Sequence, residues 1–76
     1  MLLAADRSNM VWRKGLTIRE REISDLVSRG LTNGQIGRNL DISEPTVKTH
    51  LRNIYSKTGI HDRANLAIRV LNSGKP

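Results

Sequence analysis

Lys48, Thr49, Arg52 and Asn53 carry the donors and the methyl group that a reader of base-pair edges requires, and they crowd into six residues of one predicted helix. At 3.6 residues per turn, Thr49, Arg52, Asn53 and Ser56 leave a helix over 44–58 on one side, with Lys48 on the flank. Val47, Leu51, Ile54, Tyr55 and Thr58 cluster within about 100° on the other side. Arg and Lys donate to guanine O6 and N7, Asn pairs bidentately with adenine, and a Thr methyl meets the thymine methyl; only the major groove displays all four patterns. A helix about 22 Å long overruns a groove about 12 Å wide. The first half therefore meets bases, while Ser56 and Lys57 fall nearer the phosphates.

A second set sits where helices begin. Thr32 and Asn33, and then Ser43 and Thr46, stand at predicted helix N-termini, where free N–H groups and the helix dipole favour phosphate. Thr32 and Ser43 also serve as helix caps, as they would in any helical protein. Glu44 suits the dipole but repels a close phosphate, so its carboxylate is expected to point away from a nucleic-acid backbone. No enzyme chemistry competes with this reading. His50 and His61 are the only histidines and Cys is absent, so metal ligation lacks a donor set and packing or hydrogen bonding suits the imidazoles. Gly30, Gly34 and Gly37 match no phosphate-binding glycine motif, no Ser has a base and an orienting acid, and no cofactor or catalytic residue is expected.

A chain of 76 residues with a formal charge of +6 forms one small domain whose surface favours a polyanion. Trp12 and Tyr55 are its only aromatic residues, so the core must come from Leu, Ile and Val. Met1 to Ala5 is too short for a signal-peptide core, and no stretch is long enough for a membrane span. A cytoplasmic protein with no membrane partner is expected.

The elements that must hold the reading residues follow from their punctuation. Residues 1–15 lack periodicity and read as a linker or flexible N-terminal arm; the other option is an ordered arm that packs Trp12 on the domain or reaches a DNA groove. The domain proper spans 16–76. Thr17 with Glu20 forms a capping box opening a helix over about 18–29, with Ile23, Leu26 and Val27 on one face, an Asp25–Arg29 pair, and Gly30 as the left-handed stop. The Arg19-Glu20-Arg21-Glu22 charge run reads as a solvated helix surface. Thr32 with Gln35 opens a helix over about 33–40 that buries Ile36 and Leu40. Gly34 and Gly37 each weaken it by about 1 kcal/mol relative to Ala, and Gly37 allows a close crossing. Asp41 and Ile42 make the turn, Asp tolerating the left-handed region. Ser43, Pro45 and Gly59 delimit the helix over 44–58. A last helix over about 63–72 follows Asp62, and its apolar arc is about twice as wide as one docking face requires. The class is all-α, a four-helix bundle containing a helix-turn-helix.

Leu16-Thr17-Ile18-Arg19-Glu20-Arg21-Glu22, Gly30-Leu31-Thr32-Asn33, the run Ile42 to Tyr55, Lys57 and Gly59-Ile60 together resemble the LuxR (NarL/FixJ-type) family of bacterial transcription regulators. The resemblance covers Leu16 to Leu71. It implies a four-helix effector domain for sequence-specific double-stranded DNA binding, commonly placed behind a receiver or sensor domain; no such domain is expected within these 76 residues. It implies base contacts from Lys48, Thr49 and Arg52 and phosphate contacts near Thr32, Asn33, Ser43, Thr46 and Lys57. It also implies a homodimer on paired half-sites through the last helix, where Leu66, Ala67, Val70 and Leu71 are the expected contacts, and it allows a contact with RNA polymerase. The chain departs from the family at Gly37, where Ala is usual, at Gly34, where a long polar residue is common, and at Pro45, which removes one N–H. A different class, a helix-turn-helix protein-interaction module of the transcription machinery, shares the helical pair and the basic charge. A peripheral membrane domain would need large apolar residues opposite Lys and Arg on one helix, which none of these helices has.

Overall fold

The computed structural model of the chain describes residues 12–73. Among them the regular elements are four helices: α1 (Ile18–Ser28), α2 (Asn33–Leu40), α3 (Glu44–Thr58) and α4 (Arg63–Ser73). The expected all-α class is what the chain adopts, with boundaries within a residue or so of those read from the sequence. Residues 1–11 of the expected linker and residues 74–76 of the expected domain lie outside the described residues.

Local chemistry explains each boundary. Thr17 Oγ1 accepts from the Glu20 N–H at 3.1 Å and Glu20 Oε1 accepts from the Thr17 N–H at 2.9 Å. Thr32 and Gln35 repeat the exchange at 3.2 and 2.8 Å. Both capping boxes thus satisfy donors that a helix start leaves free. At the end of α1 the Leu31 N–H reaches the Leu26 carbonyl and the Gly30 N–H the Val27 carbonyl. Gly30 sits at φ 88°, completing a Schellman stop. Asp41 ends α2 at φ 59°, the left-handed turn expected of it, and Gly59 ends α3 at φ 75°. Asp62 Oδ1 accepts from the Asn65 N–H at 2.8 Å and opens α4.

α1 is the hub: α3 and α4 both pack on it, α2 touches it more lightly, and α2 packs on α3. Ile23, Ile36, Val47, Ile54 and Leu66 are fully enclosed, ringed by Leu16, Val27, Leu51, Ile60 and Val70. Each such side chain removed from water contributes about 1.5–3 kcal/mol, and every helix supplies at least one. The α2–α3 turn closes tightly because Gly37 has no side chain. A Cβ there would stand 2.6 Å from the Ile42 carbonyl oxygen, well inside contact distance.

Four expectations change. Asp25 pairs with Arg13 at 3.3 Å instead of Arg29. Trp12 packs against the core with the Arg13 guanidinium 5.5 Å from its ring centroid, the second of the two options read for the N-terminal arm, in place of a loose linker at that residue. Glu20 is no solvated member of the charge run: it is 3% exposed and accepts from Lys57 Nζ at 2.8 Å. Lastly, the wide arc of α4 divides in two. Leu66 and Val70, expected to meet a second copy, are 0% and 6% exposed because the domain's own core takes them. The outward apolar strip consists of Ala64, Ile68 and Leu71, flanked by half-buried Ala67.

Candidate nucleic-acid interface

α3 is amphipathic in the sense the sequence indicates. Val47, Leu51 and Ile54 are buried, which sends Lys48, Thr49, Arg52 and Asn53 outward, all four exposed. Ser43 starts the helix by accepting the Thr46 N–H at 3.2 Å, and the Ser43 and Thr46 hydroxyls lie 2.8 Å apart. Pro45 falls in the first turn, where a missing N–H breaks no helical bond. Thr49 Oγ1 donates to the Pro45 carbonyl at 3.2 Å. With its hydroxyl occupied by its own backbone, Thr49 offers its methyl to a ligand.

Lys48 Nζ stands 3.9 Å from Glu44 Oε2, with both side chains more than half exposed. So loose a pair in water is worth little, and a phosphate or a base edge competes with it readily. The other carboxylate oxygen of Glu44 leans over α2, 3.4 Å from the place a Cβ on Gly34 would take. A methyl there would meet it at ordinary contact distance.

Asn33, Lys48, Leu51, Arg52, Tyr55 and Arg63 line one groove where the starts of α2 and α4 meet α3. Three of the six are cations and none is a carboxylate. Of the residues singled out from the sequence, the fold therefore unites Asn33, Lys48 and Arg52. Thr32, Ser43 and Thr46 are exposed at helix starts, and Asn53 and Ser56 are exposed further along α3. The Tyr55 hydroxyl has its pKa raised, mainly by burial; Arg63 opposes the rise and Asp62 adds to it. Tyr55 is thus a neutral hydroxyl at pH 7.

Lys57 has a prior engagement. Burial pushes the Glu20 carboxyl toward its neutral form, but the Lys57 hydrogen bond, the Thr17 N–H and the attraction of the ammonium outweigh it, holding the pKa below its ordinary value. Lys57 therefore stands at the junction of α1 and α3 as a counter-ion, and only its remaining N–H donors are free for a phosphate.

These features gain their context from comparison with known proteins. A family model described as bacterial regulatory proteins, luxR family, matches residues 14–70. The chain belongs to the LuxR family. This LuxR-family helix-turn-helix domain is 54% identical over 54 residues to the monoamine regulon transcriptional regulator of Klebsiella aerogenes, an alignment covering 71% of the chain and 24% of that protein. It is 45% identical over 60 residues to the transcriptional regulatory protein LiaR of Bacillus subtilis, covering 79% of the chain and 28% of LiaR. It is 44% identical over 55 residues to the nitrate/nitrite response regulator protein NarL of Escherichia coli K12, covering 72% of the chain and 26% of NarL. The aligned segment of this chain thus spans about a quarter of each relative's length.

Two residues beside this surface make contacts that local sequence patterns do not reveal. Glu20 was read as a cap, and its position three residues after Thr17 gives no hint of a partner 37 residues on. Arg63 carried no role at all. Its guanidinium donates from Nη1 to Asn33 Oδ1 at 2.7 Å and from Nη2 to the Leu31 carbonyl at 2.5 Å. Those contacts span 30 and 32 residues, beyond any helical spacing, so no local pattern announces them.

Proposed function

We propose that this domain binds double-stranded DNA sequence-specifically as the output unit of a bacterial transcription regulator, with α3 lying in the major groove. The observation that carries the reading is the exposed row Lys48, Thr49, Arg52 and Asn53 on a helix whose opposite face is buried. Arg52 and Lys48 are assigned to guanine O6 and N7, Asn53 to an adenine edge, and the Thr49 methyl to thymine. Thr32, Asn33, Ser43, Thr46, Ser56 and the free donors of Lys57 are assigned to phosphates, which set register without reading sequence. The net charge of +6 supports the same partner. Regulatory relatives that include a response regulator support the cellular role, which implies a cytoplasmic setting, input from a receiver or sensor domain, and contact with RNA polymerase.

Two copies are proposed to occupy paired half-sites, meeting through α4. The supporting surface is the outward strip of Ala64, Ile68 and Leu71, the last two 53% and 55% exposed, with Ala67 at its edge. Leu66 and Val70 act indirectly, by fixing α4 to the core.

Selection from a pool of random duplexes tests the proposal. A repeated short half-site should emerge, with paired spacing if two copies bind together. A pool that shows no enrichment after repeated rounds would sink the sequence-specific reading.

A further inference from the structure

The Arg63 contacts fix something that the exposed row alone does not. A guanidinium only donates, so the Asn33 atom facing Arg63 must be the carbonyl oxygen, as the 2.7 Å contact has it. The amide nitrogen of Asn33, with its two N–H groups, is then the end left for another partner. Arg63 is itself anchored by the Leu31 carbonyl at 2.5 Å, and it lines the groove that also holds Lys48 and Arg52. Its two-pronged grip spans the start of α4 and the start of α2, a geometry that an ammonium cannot reproduce.

We propose that Arg63 is a positioning residue for DNA binding: it locks the Asn33 side-chain amide so that the NH2 end, never the oxygen, faces a phosphate of the duplex backbone. The inference rests on the DNA-binding reading above. Without Arg63 the Asn33 side chain spreads over three χ1 wells and both ends of its amide, about six orientations of which one offers the NH2 end to the phosphate; the flipped ones present an acceptor to an anion, which repels instead of binding. Arg63 acts through Asn33 and adds no charge contact of its own.

A double-mutant cycle tests this, using the selected half-site duplex and a scrambled duplex of equal length, each titrated over a range of salt concentrations. Arg63→Ala should weaken binding about sixfold, because only about one in six orientations of the freed Asn33 side chain remains competent. The loss should be equal on both duplexes, because phosphates carry no sequence. In an Asn33→Ala background the same change should cost less than about twofold, because its route is already gone. The salt slope should not change, since no counter-ion-displacing charge is lost. Asn33→Asp provides a control that leaves Arg63 intact: the carboxylate still accepts from the guanidinium, so the thermal midpoint should hold or rise, while binding falls by more than tenfold as an oxygen now faces the phosphate. Additive losses, a salt slope reduced by about one charge for Arg63→Ala, or wild-type affinity in Asn33→Asp would each overturn the inference while leaving DNA binding intact. Absence of wild-type binding to either duplex would instead overturn both.

Discussion

Replacing Lys57 with Met isolates the energetics of the α1–α3 junction. The Glu20 side chain is 4% exposed and the Lys57 side chain 40%, so one charge is buried and the other half in water. Removing a partner from a fully buried pair costs about 3–5 kcal/mol. Here the carboxylate keeps the Thr17 N–H at 2.9 Å, and water reaches the junction from the Lys57 side. A cost of about 1–2 kcal/mol at pH 7 follows, which for a domain of this size lowers Tm on the order of 5–10 °C. The pH dependence makes the test specific. The folded pKa of Glu20 is depressed below the ordinary 4.5, so the stability it contributes is fully present above that value. It is lost as pH falls through the folded pKa. In Lys57→Met the depression largely disappears because burial is no longer opposed by an ammonium, and the acid-side loss should shrink with it. Thermal unfolding followed by circular dichroism from pH 7 to pH 3 reads both effects. A variant with wild-type Tm at pH 7 and an unchanged acid limb would refute the argument that Lys57 compensates the burial of Glu20.

Other perturbations separate roles that the sequence merges. Gly34→Ala should raise stability by about 0.5–1 kcal/mol, since the new methyl meets only flexible side-chain ends at 3.4 Å and beyond. Gly37→Ala should lower it by about 1–2 kcal/mol despite the same helix gain, because its methyl meets the Ile42 carbonyl; chemical denaturation distinguishes the signs. Ile68→Asp should leave the fold intact and reduce cooperative occupancy of paired half-sites in a gel-shift titration, whereas Val70→Asp, by burying a charge, should unfold the domain. Arg52→Ala should cost about 1–3 kcal/mol of specific binding and relax preference at one base pair, which repeating the duplex selection with the variant would reveal.

The helices were legible because their signals are local. Thr17 with Glu20, Thr32 with Gln35, Ser43 with Pro45, and the stops at Gly30, Asp41 and Gly59 each act within one turn, and the exposed row on α3 follows from period alone. What was hidden depends on distance along the chain. Nothing near Arg13 selects Asp25 over a helical neighbour, and nothing near Arg63 points to Leu31 and Asn33. The arc of α4 shows the limit of periodicity: it correctly indicated two apolar faces, but only packing decides that Leu66 and Val70 go inward while Ile68 and Leu71 remain outside. Gly37 read as a weakness of α2, and the close approach of the Ile42 carbonyl makes it a requirement of the turn.

The outward strip of α4 is small: Ala64, Ile68 and Leu71 occupy two turns of one helix. A pair of such strips falls well short of the roughly 1,200–2,000 Å² that a stable specific complex buries. In dilute solution, copies would pass one another. Bound at adjacent half-sites, they would confront each other at an effective concentration in the millimolar range, and a contact too weak to detect in solution would raise double occupancy several-fold. Inserting about five base pairs would turn one copy to the far side of the duplex and remove that gain, whereas a full turn of about ten would restore the facing. So weak a strip would make double occupancy depend on the distance between half-sites and, because copies would pair only on the duplex, rise steeply with protein concentration.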